Sequence, residues 1–295
     1  MKKIISSRIY KENFFNRLID RTITRKLIKR SSSYNLNRKN PIVIFANDEI
    51  GININTYGSY EKDEIHDLFA LLKNLNIKTK NFTAIDIGAN IGNHSIEFSK
   101  YFKKVISFEP NPKVFNLLKL NTENINNVEI YNYGCGAVDT NQILFESYDN
   151  IGSSSSKYKD HKKNQISIRI KPLDIFFGQL KDLKLIKIDV EGMEFETIKG
   201  AKKIIDYFKP VICFEQHKEE FLENSNETKS IDLLRSQGYK IFALNKNKRI
   251  NFFYRIFYTF KEILFGIVEN REIIEYKKLS KDTYGTIFAL HESFF

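Results

Sequence analysis

At 295 residues, 42% hydrophobic and 28% charged, the chain is long enough for one full catalytic domain with additions and too apolar to be disordered. The net charge of +11 resembles a nucleic-acid signal, but residues 1–40 hold twelve Lys/Arg against two Asp/Glu, which leaves the rest at +1 and argues against a phosphate-tracking groove there. No run reaches the roughly 20 apolar residues of a membrane span, no apolar core follows Lys2 and Lys3 as in a secretory leader, and Cys135 and Cys213 read as reduced buried thiols, so a cytoplasmic protein is expected.

From Phe14 to Arg30, Phe15, Ile19, Ile23 and Leu27 recur at every fourth position with Arg17, Arg21, Arg25 and Lys29 between them, which predicts a basic amphipathic helix. Such a helix can pack, dock a partner or lie on the inner face of an anionic membrane. Ser31, Ser32 and Ser33 read as its break. Residues 42–45 and 51–54 look like short strands, and Glu61 to Leu75 like a helix leading into a second region, so the division expected is 1–60 and 61–295.

Beyond Phe82, short apolar runs alternate with helical stretches, the pattern of a mostly parallel sheet with helices on both faces. Strands are predicted near 83–87, 104–108, 128–132, 185–190, 211–214, 240–244 and 286–290, making seven. Helices fit 93–101, 112–121, 194–206 and 228–237. The serine-rich stretch from Gly152 to Lys163 reads as a loop over the site, and 246–281 as an aromatic insertion that can pack, form a lid or touch a membrane.

The sharpest motif runs from Asp86 through Gly88, Ala89, Asn90, Gly92 and Asn93 to His94, from a strand through a glycine turn into a helix. Gly88 and Gly92 allow a tight turn and a close ligand approach, and the new helix offers N–H groups to a carboxylate. Asp86 would accept a positively charged amino group. The G-x-x-x-G spacing differs from the dinucleotide G-x-G-x-x-G and suits the amino acid end of S-adenosylmethionine. The second strand ends in Glu109, Pro110 and Asn111, where a carboxylate can hold both ribose hydroxyls. After the third strand, the small residues Gly134, Cys135 and Gly136 leave room for an adenine ring. His94 is expected to pack or cap rather than catalyse.

These blocks, together with Ile186-Lys187-Ile188-Asp189-Val190-Glu191-Gly192-Met193-Glu194, resemble the FkbM family of S-adenosylmethionine-dependent methyltransferases from about Phe82 to His217. The resemblance implies a class I methyltransferase, a Rossmann-like α/β fold, and O-methylation of hydroxyls on sugars, glycans or related natural products. It does not cover the first 60 residues or the aromatic insertion.

Transfer to an alcohol needs alignment and a proton acceptor. In open α/β sheets these gather beyond the carboxyl ends of the strands, which directs attention to Asp189, Glu191 and Glu194 in one cluster and to Glu215, Gln216 and His217 in another. Asp189 is expected to face donor and acceptor, Glu191 to position the acceptor or Lys187, and His217 to act as general base, with Glu215 beside it. The same groups could instead ligate a divalent cation, but no metal site is assigned. The acceptor expected is a sugar or glycan, lipid-linked if the basic helix or the insertion meets a membrane, and not nucleic acid. The alternatives are an N-methyltransferase or a nucleic-acid methyltransferase, which the basic N-terminus leaves open although D/N-P-P-Y/F is absent after the fourth strand, and a non-catalytic protein that only binds the cofactor.

Overall fold

The computed structural model describes residues 13–36, 41–46, 48–146, 164–222, 227–245 and 271–295. The serine-rich stretch and most of the aromatic insertion, residues 246–270, lie outside them. The chain divides into two compact units, Met1–Tyr60 and Glu61–Phe295.

In the first unit, α1 spans Phe14–Leu36 and runs through the three serines expected to end it. A serine hydroxyl can bond the helix's own backbone, as Ser33 Oγ does to the Arg30 carbonyl at 2.7 Å, so a serine run need not break a helix. Phe14, Phe15, Ile19 and Ile28 are all more than half exposed. Where a strand was expected at 51–54, α2 (Glu49–Tyr57) forms instead. Asp48 caps it by accepting from Ile50 N–H, Gly58 closes it at φ 86°, and Ile54 is buried. The caps lie outside the alternating Gly-Ile-Asn-Ile core and override its strand-like pattern. Residues 42–45 form no strand.

The second unit opens with α3 (Lys62–Asn74), β1 (Thr83–Ile87), α4 (Asn93–Tyr101), β2 (Lys104–Phe108), α5 (Pro112–Thr122) and β3 (Val128–Tyr131). There follow β4 (Gly134–Cys135), β5 (Thr140–Glu146), β6 (Asn164–Lys171), β7 (Leu183–Ile188), α6 (Glu194–Gly200), α7 (Lys202–Phe208) and β8 (Val211–Gln216). The chain closes with α8 (Lys229–Ser236), β9 (Tyr239–Leu244), β10 (Ile273–Glu275) and β11 (Tyr284–His291). The main sheet runs β10-β9-β11-β8-β7-β1-β2-β3, parallel from β8 to β3 and antiparallel at β11, β9 and β10. It is the α/β architecture expected, with eight strands rather than seven. The additional strand is the three-residue β10, too short to show a period.

A second, three-stranded sheet, β4-β6-β5, was not foreseen. Its shortest strand has two residues, and β5 and β6 flank the serine-rich stretch, which drew the eye to a loop. Gly134 and Gly136 owe their smallness to this sheet, since a Cβ on them would stand 2.7 and 2.6 Å from the Ile170 side chain.

Because side chains alternate across a strand, the main sheet has two cores. Ile85, Ile87, Ile106, Ile186 and Ile212 pack with Ile198 of α6, Ile205 of α7 and Leu234 of α8. Ala84, Val105, Leu185 and Val211 pack with Leu68 of α3 and Phe98 of α4. Helices thus cover both faces.

The single helix expected at 194–206 is broken into α6 and α7 at Gly200–Ala201. Asp174 accepts the N–H groups of Lys203 and Ile204 at 3.1 and 3.0 Å and so begins a new helix. A Cβ on Gly200 would fall 1.9 Å from the Gly136 carbonyl oxygen. Gly200→Ala is therefore expected to cost about 1–3 kcal/mol through overpacking. Gly178→Ala, where nothing lies within 4 Å, serves as the neutral control. Chemical denaturation of both variants checks this, and equal stabilities would contradict it.

Candidate functional site

The glycine turn is fixed by its surroundings. Gly88 at φ 79°, Asn90 at 52° and Gly92 at 97° carry the chain from β1 into α4 through left-handed backbone. A Cβ on Gly88 would lie 1.7 Å from the Asp189 carbonyl oxygen, so only glycine allows the loop after β7 to pass so closely. Gly88 and Ala89 N–H both donate to the Phe108 carbonyl at 2.9 Å, which ties the turn to the end of β2.

Glu109 locks the two loops together. Its carboxylate accepts from Asn90 N–H at 3.0 Å and from Asn111 N–H at 2.8 Å. Asn111 in turn caps α5, and Asn132 Nδ2 donates to the carbonyls of Glu109 and Pro110. Burial raises the Glu109 carboxyl to about 7, against the pull of those two N–H donors. Each oxygen keeps an accepting lone pair, so this carboxylate fits the ribose of a nucleoside. Cys135, by contrast, is buried in the core and its thiol is pushed up by burial, while its carbonyl accepts from Thr197 Oγ1 at 2.9 Å. Cys135 and Gly136 therefore pack the second sheet against α6, a role the adenine expectation did not include.

Beneath the turn, strand register lines up four polar or thiol residues on the face covered by α3 and α4. Ser107 pairs with Asp86, Asp86 with Lys187, and Lys187 with Cys213. Asp86 is fully buried; its Oδ2 accepts from Ser95 Oγ at 2.6 Å, and that hydroxyl lies 2.8 Å from Ser107 Oγ. Its Oδ1 has no hydrogen-bond donor and faces Lys187 Nζ at 3.9 Å. Lys187 donates to Asp189 Oδ2 at 2.9 Å. Burial alone would depress the Lys187 ammonium, but Asp189, Asp86 and Glu61 together drive it above its usual value, so it is charged. Cys213 is held up to about 12 by burial.

A cleft of about 450 Å³ opens beside this row, walled among others by Glu61, His94, Lys187, Asp189 and Glu215. Leu68, Phe98 and Phe288 give it an apolar side, and Gly285 forms part of its rim with no atom within 4 Å of where a Cβ would stand. Glu61 Oε2 lies 3.4 Å from His94 Nε2. Burial raises Glu61 to about 7, partly offset by Lys187 and reinforced by Asp189, Glu64 and Glu215. Burial, then Lys187, lowers His94, so its ring is neutral and the pair is a close polar contact rather than two charges.

The two expected acidic clusters meet here only in part. Among the described residues, the cleft wall takes Asp189 and Glu215 but not Glu191 or His217. His217 Nε2 stands 3.7 Å from Glu215 Oε2, and Glu191 sits at φ 50° in the turn after β7 with its carboxyl raised by burial and by Asp189. Glu194 accepts from Gly192 N–H at 3.0 Å, and burial, with the charge of nearby Glu220 behind it, raises its carboxyl. Glu220 is also bonded by Gln216, whose other amide atom accepts from Thr228 at 2.7 Å. Glu194 and Glu220 thus bring the loop after β7 beside the loop after β8.

Glu61, His94 and Lys187 stand in the wall although the sequence-derived site did not include them. Lys187 had a signal, since a lysine inside an apolar strand needs a buried counter-charge. Glu61 had none, because only the tertiary fold brings the start of α3 to the sheet.

Residues 86–241, just over half of the chain, match the Methyltransferase FkbM domain. Methyltransferase 1 of Beauveria bassiana is 27% identical over 142 residues, 39% of this chain and 57% of that protein. Hexuronic acid methyltransferase AglP of Haloferax volcanii is 30% identical over 132 residues, 43% of this chain and 53% of that protein. The chain thus spans little more than half the length of these relatives. A crystal structure of Methyltransferase FkbM from Methylobacillus flagellatus aligns with a TM-score of 0.38 at 17% identity, covering 72% of this chain and 44% of that one.

Two predictions follow from the buried groups. Lys187→Met strands Asp86 without its cation and is expected to cost about 3–5 kcal/mol. Adding Asp86→Asn should recover part of the loss, as a double-mutant cycle would measure; additive losses would deny the pair. Glu194 is raised to about 7 from 4.5, mainly by burial, so the folded protein holds this proton longer than the unfolded chain does. Its contribution is complete below the unfolded value and fades as pH rises through 7. Melting temperature should fall less between pH 5 and 8 in Glu194→Gln than in the parent, and identical slopes would count against a raised Glu194 carboxyl.

Proposed function

The chain belongs to the FkbM methyltransferase family, and from that premise we propose that it transfers a methyl group from S-adenosylmethionine to a hydroxyl oxygen of a sugar or glycan. The observation that carries this reading is the cleft beside the glycine turn, where Asp189 and Glu215 from two adjacent strand ends stand with Lys187. The relative named as a hexuronic acid methyltransferase supports a sugar as acceptor.

When bound, S-adenosylmethionine supplies an electrophilic methyl group on a sulfonium. The protein's part is to hold the nucleoside, orient the hydroxyl and take its proton. Glu109 and the turn from Gly88 to Asn93 hold the nucleoside end. Asp189, kept in place by Lys187, orients the acceptor hydroxyl at the cleft. Glu215 accepts the proton, with His217 at 3.7 Å as the next group in line. Glu191 supports the loop that carries Asp189. The apolar side of the cleft excludes water from the reacting atoms.

No described helix is long and apolar enough to cross a membrane. The exposed Phe14, Phe15 and Ile19 of α1, with Arg17 and Arg21 among them, support peripheral contact with an anionic lipid surface, where a lipid-linked glycan would be presented.

The test is methyl transfer from isotope-labelled S-adenosylmethionine to a panel of sugars and glycans, with mass spectrometry locating the label. Label on a hydroxyl oxygen is expected, and Asp189→Asn should lower turnover by about 10²-fold while the affinity for the cofactor stays unchanged. Label found only on nitrogen, or full turnover in the variant, would overturn the reading.

A further inference from the structure

We propose that Glu61, at the start of α3, is the carboxylate that receives the ammonium group of the cofactor's amino acid tail, the office the sequence assigns to Asp86. The inference rests on S-adenosylmethionine being the cofactor.

Asp86 cannot serve an arriving ligand directly. It has no exposed surface, one oxygen is taken by the Ser95 hydroxyl, and the other faces Lys187. Through the Ser95 hydroxyl its carboxylate holds the first turn of α4 from within. An ammonium could reach it only by lifting α4 off the sheet. A charged amine entering a partly desolvated site still needs an anionic partner.

Four other carboxylates wall the cleft: Glu61, Glu64, Asp189 and Glu215. Asp189 is committed to Lys187 at 2.9 Å, and Glu215 stands on β8, two strands away from β1, beside His217. Among the described residues no hydrogen bond or ion pair joins Glu64 to α4, whereas Glu61 reaches His94. Glu61 lies 3.4 Å from His94, the second residue of the helix that the glycine turn begins, and its side chain keeps 32% exposure to the cleft. An amino acid whose carboxylate meets the start of α4 would bring its ammonium to this position.

The groups facing Glu61 leave it suited to a cation. From α4 comes a neutral His94, from β7 and its end Lys187 and Asp189, from β8 Glu215, and from its own helix Glu64. Lys187 is the one cation among them, and Asp86 and Asp189 already surround it. With three carboxylates nearby and burial acting on it, Glu61 gains more from a bound ammonium than an exposed side chain would. Glu61 also precedes residues 86–241, so the family match does not assign it a role.

The experiment is calorimetric titration of the full chain with two ligands. S-adenosylhomocysteine has the amino acid tail, and 5′-methylthioadenosine keeps the nucleoside and sulfur without it. Glu61→Gln should weaken S-adenosylhomocysteine by about tenfold and leave 5′-methylthioadenosine unchanged, with Glu61→Asp in between. Unchanged binding of S-adenosylhomocysteine would overturn the assignment, and so would an equal loss for both ligands, which marks general damage to the site. A parent protein that binds neither ligand would remove the cofactor itself and not merely the role of Glu61.

Discussion

A lysine ammonium buried in the middle of a parallel sheet constrains everything around it. Lys187 extends from β7 on the face that α3 and α4 cover, and strand register puts Asp86 directly beside it on β1. Charge in such a place is tolerated only with compensation. The compensation comes from Asp86, Asp189 and Glu61, and these come from three different parts of the chain. Asp86 in turn fixes the first turn of α4, and Asp189 fixes the loop that Gly88 must let pass. The cation thus holds the glycine turn, the loop after β7 and the start of α3 in one arrangement.

The residues proposed to frame the nucleoside and those lining the cleft differ in how they are held. Glu109, Asn90 and Asn111 are bound by backbone N–H groups, so their geometry follows from the path of the main chain. Asp189, Glu215 and Glu61 are placed by side-chain charges at the ends of separate elements. A frame of backbone bonds suits a ligand that never changes. A ring of side chains can be altered one position at a time.

The sequence made β1, α4 and β2 readable to the residue, because fully buried parallel strands are continuous apolar runs and glycine or proline marks their ends. It made Glu109 and the acidic clusters visible as polar residues just beyond such runs. It could not disclose the second sheet, whose β4 has two residues, or β10 with three. Nor could it show that α2 is a helix, since caps at Asp48 and Gly58 decided against the local alternation. Asp86 was found by its position, but its sealed state depends on Ser95 and Ser107, which become neighbours only when α4 settles on the sheet. Glu61 lies 33 residues before His94 in the chain, and no spacing rule joins them.

Two glycines at the cleft have opposite fates. Gly88 is pinned by the Asp189 carbonyl, whereas Gly285 looks onto open space, near an irregularity in the pairing of β11 with β8. A larger side chain at position 285 therefore narrows the cleft and leaves the glycine turn untouched, which makes this wall adjustable at a single residue.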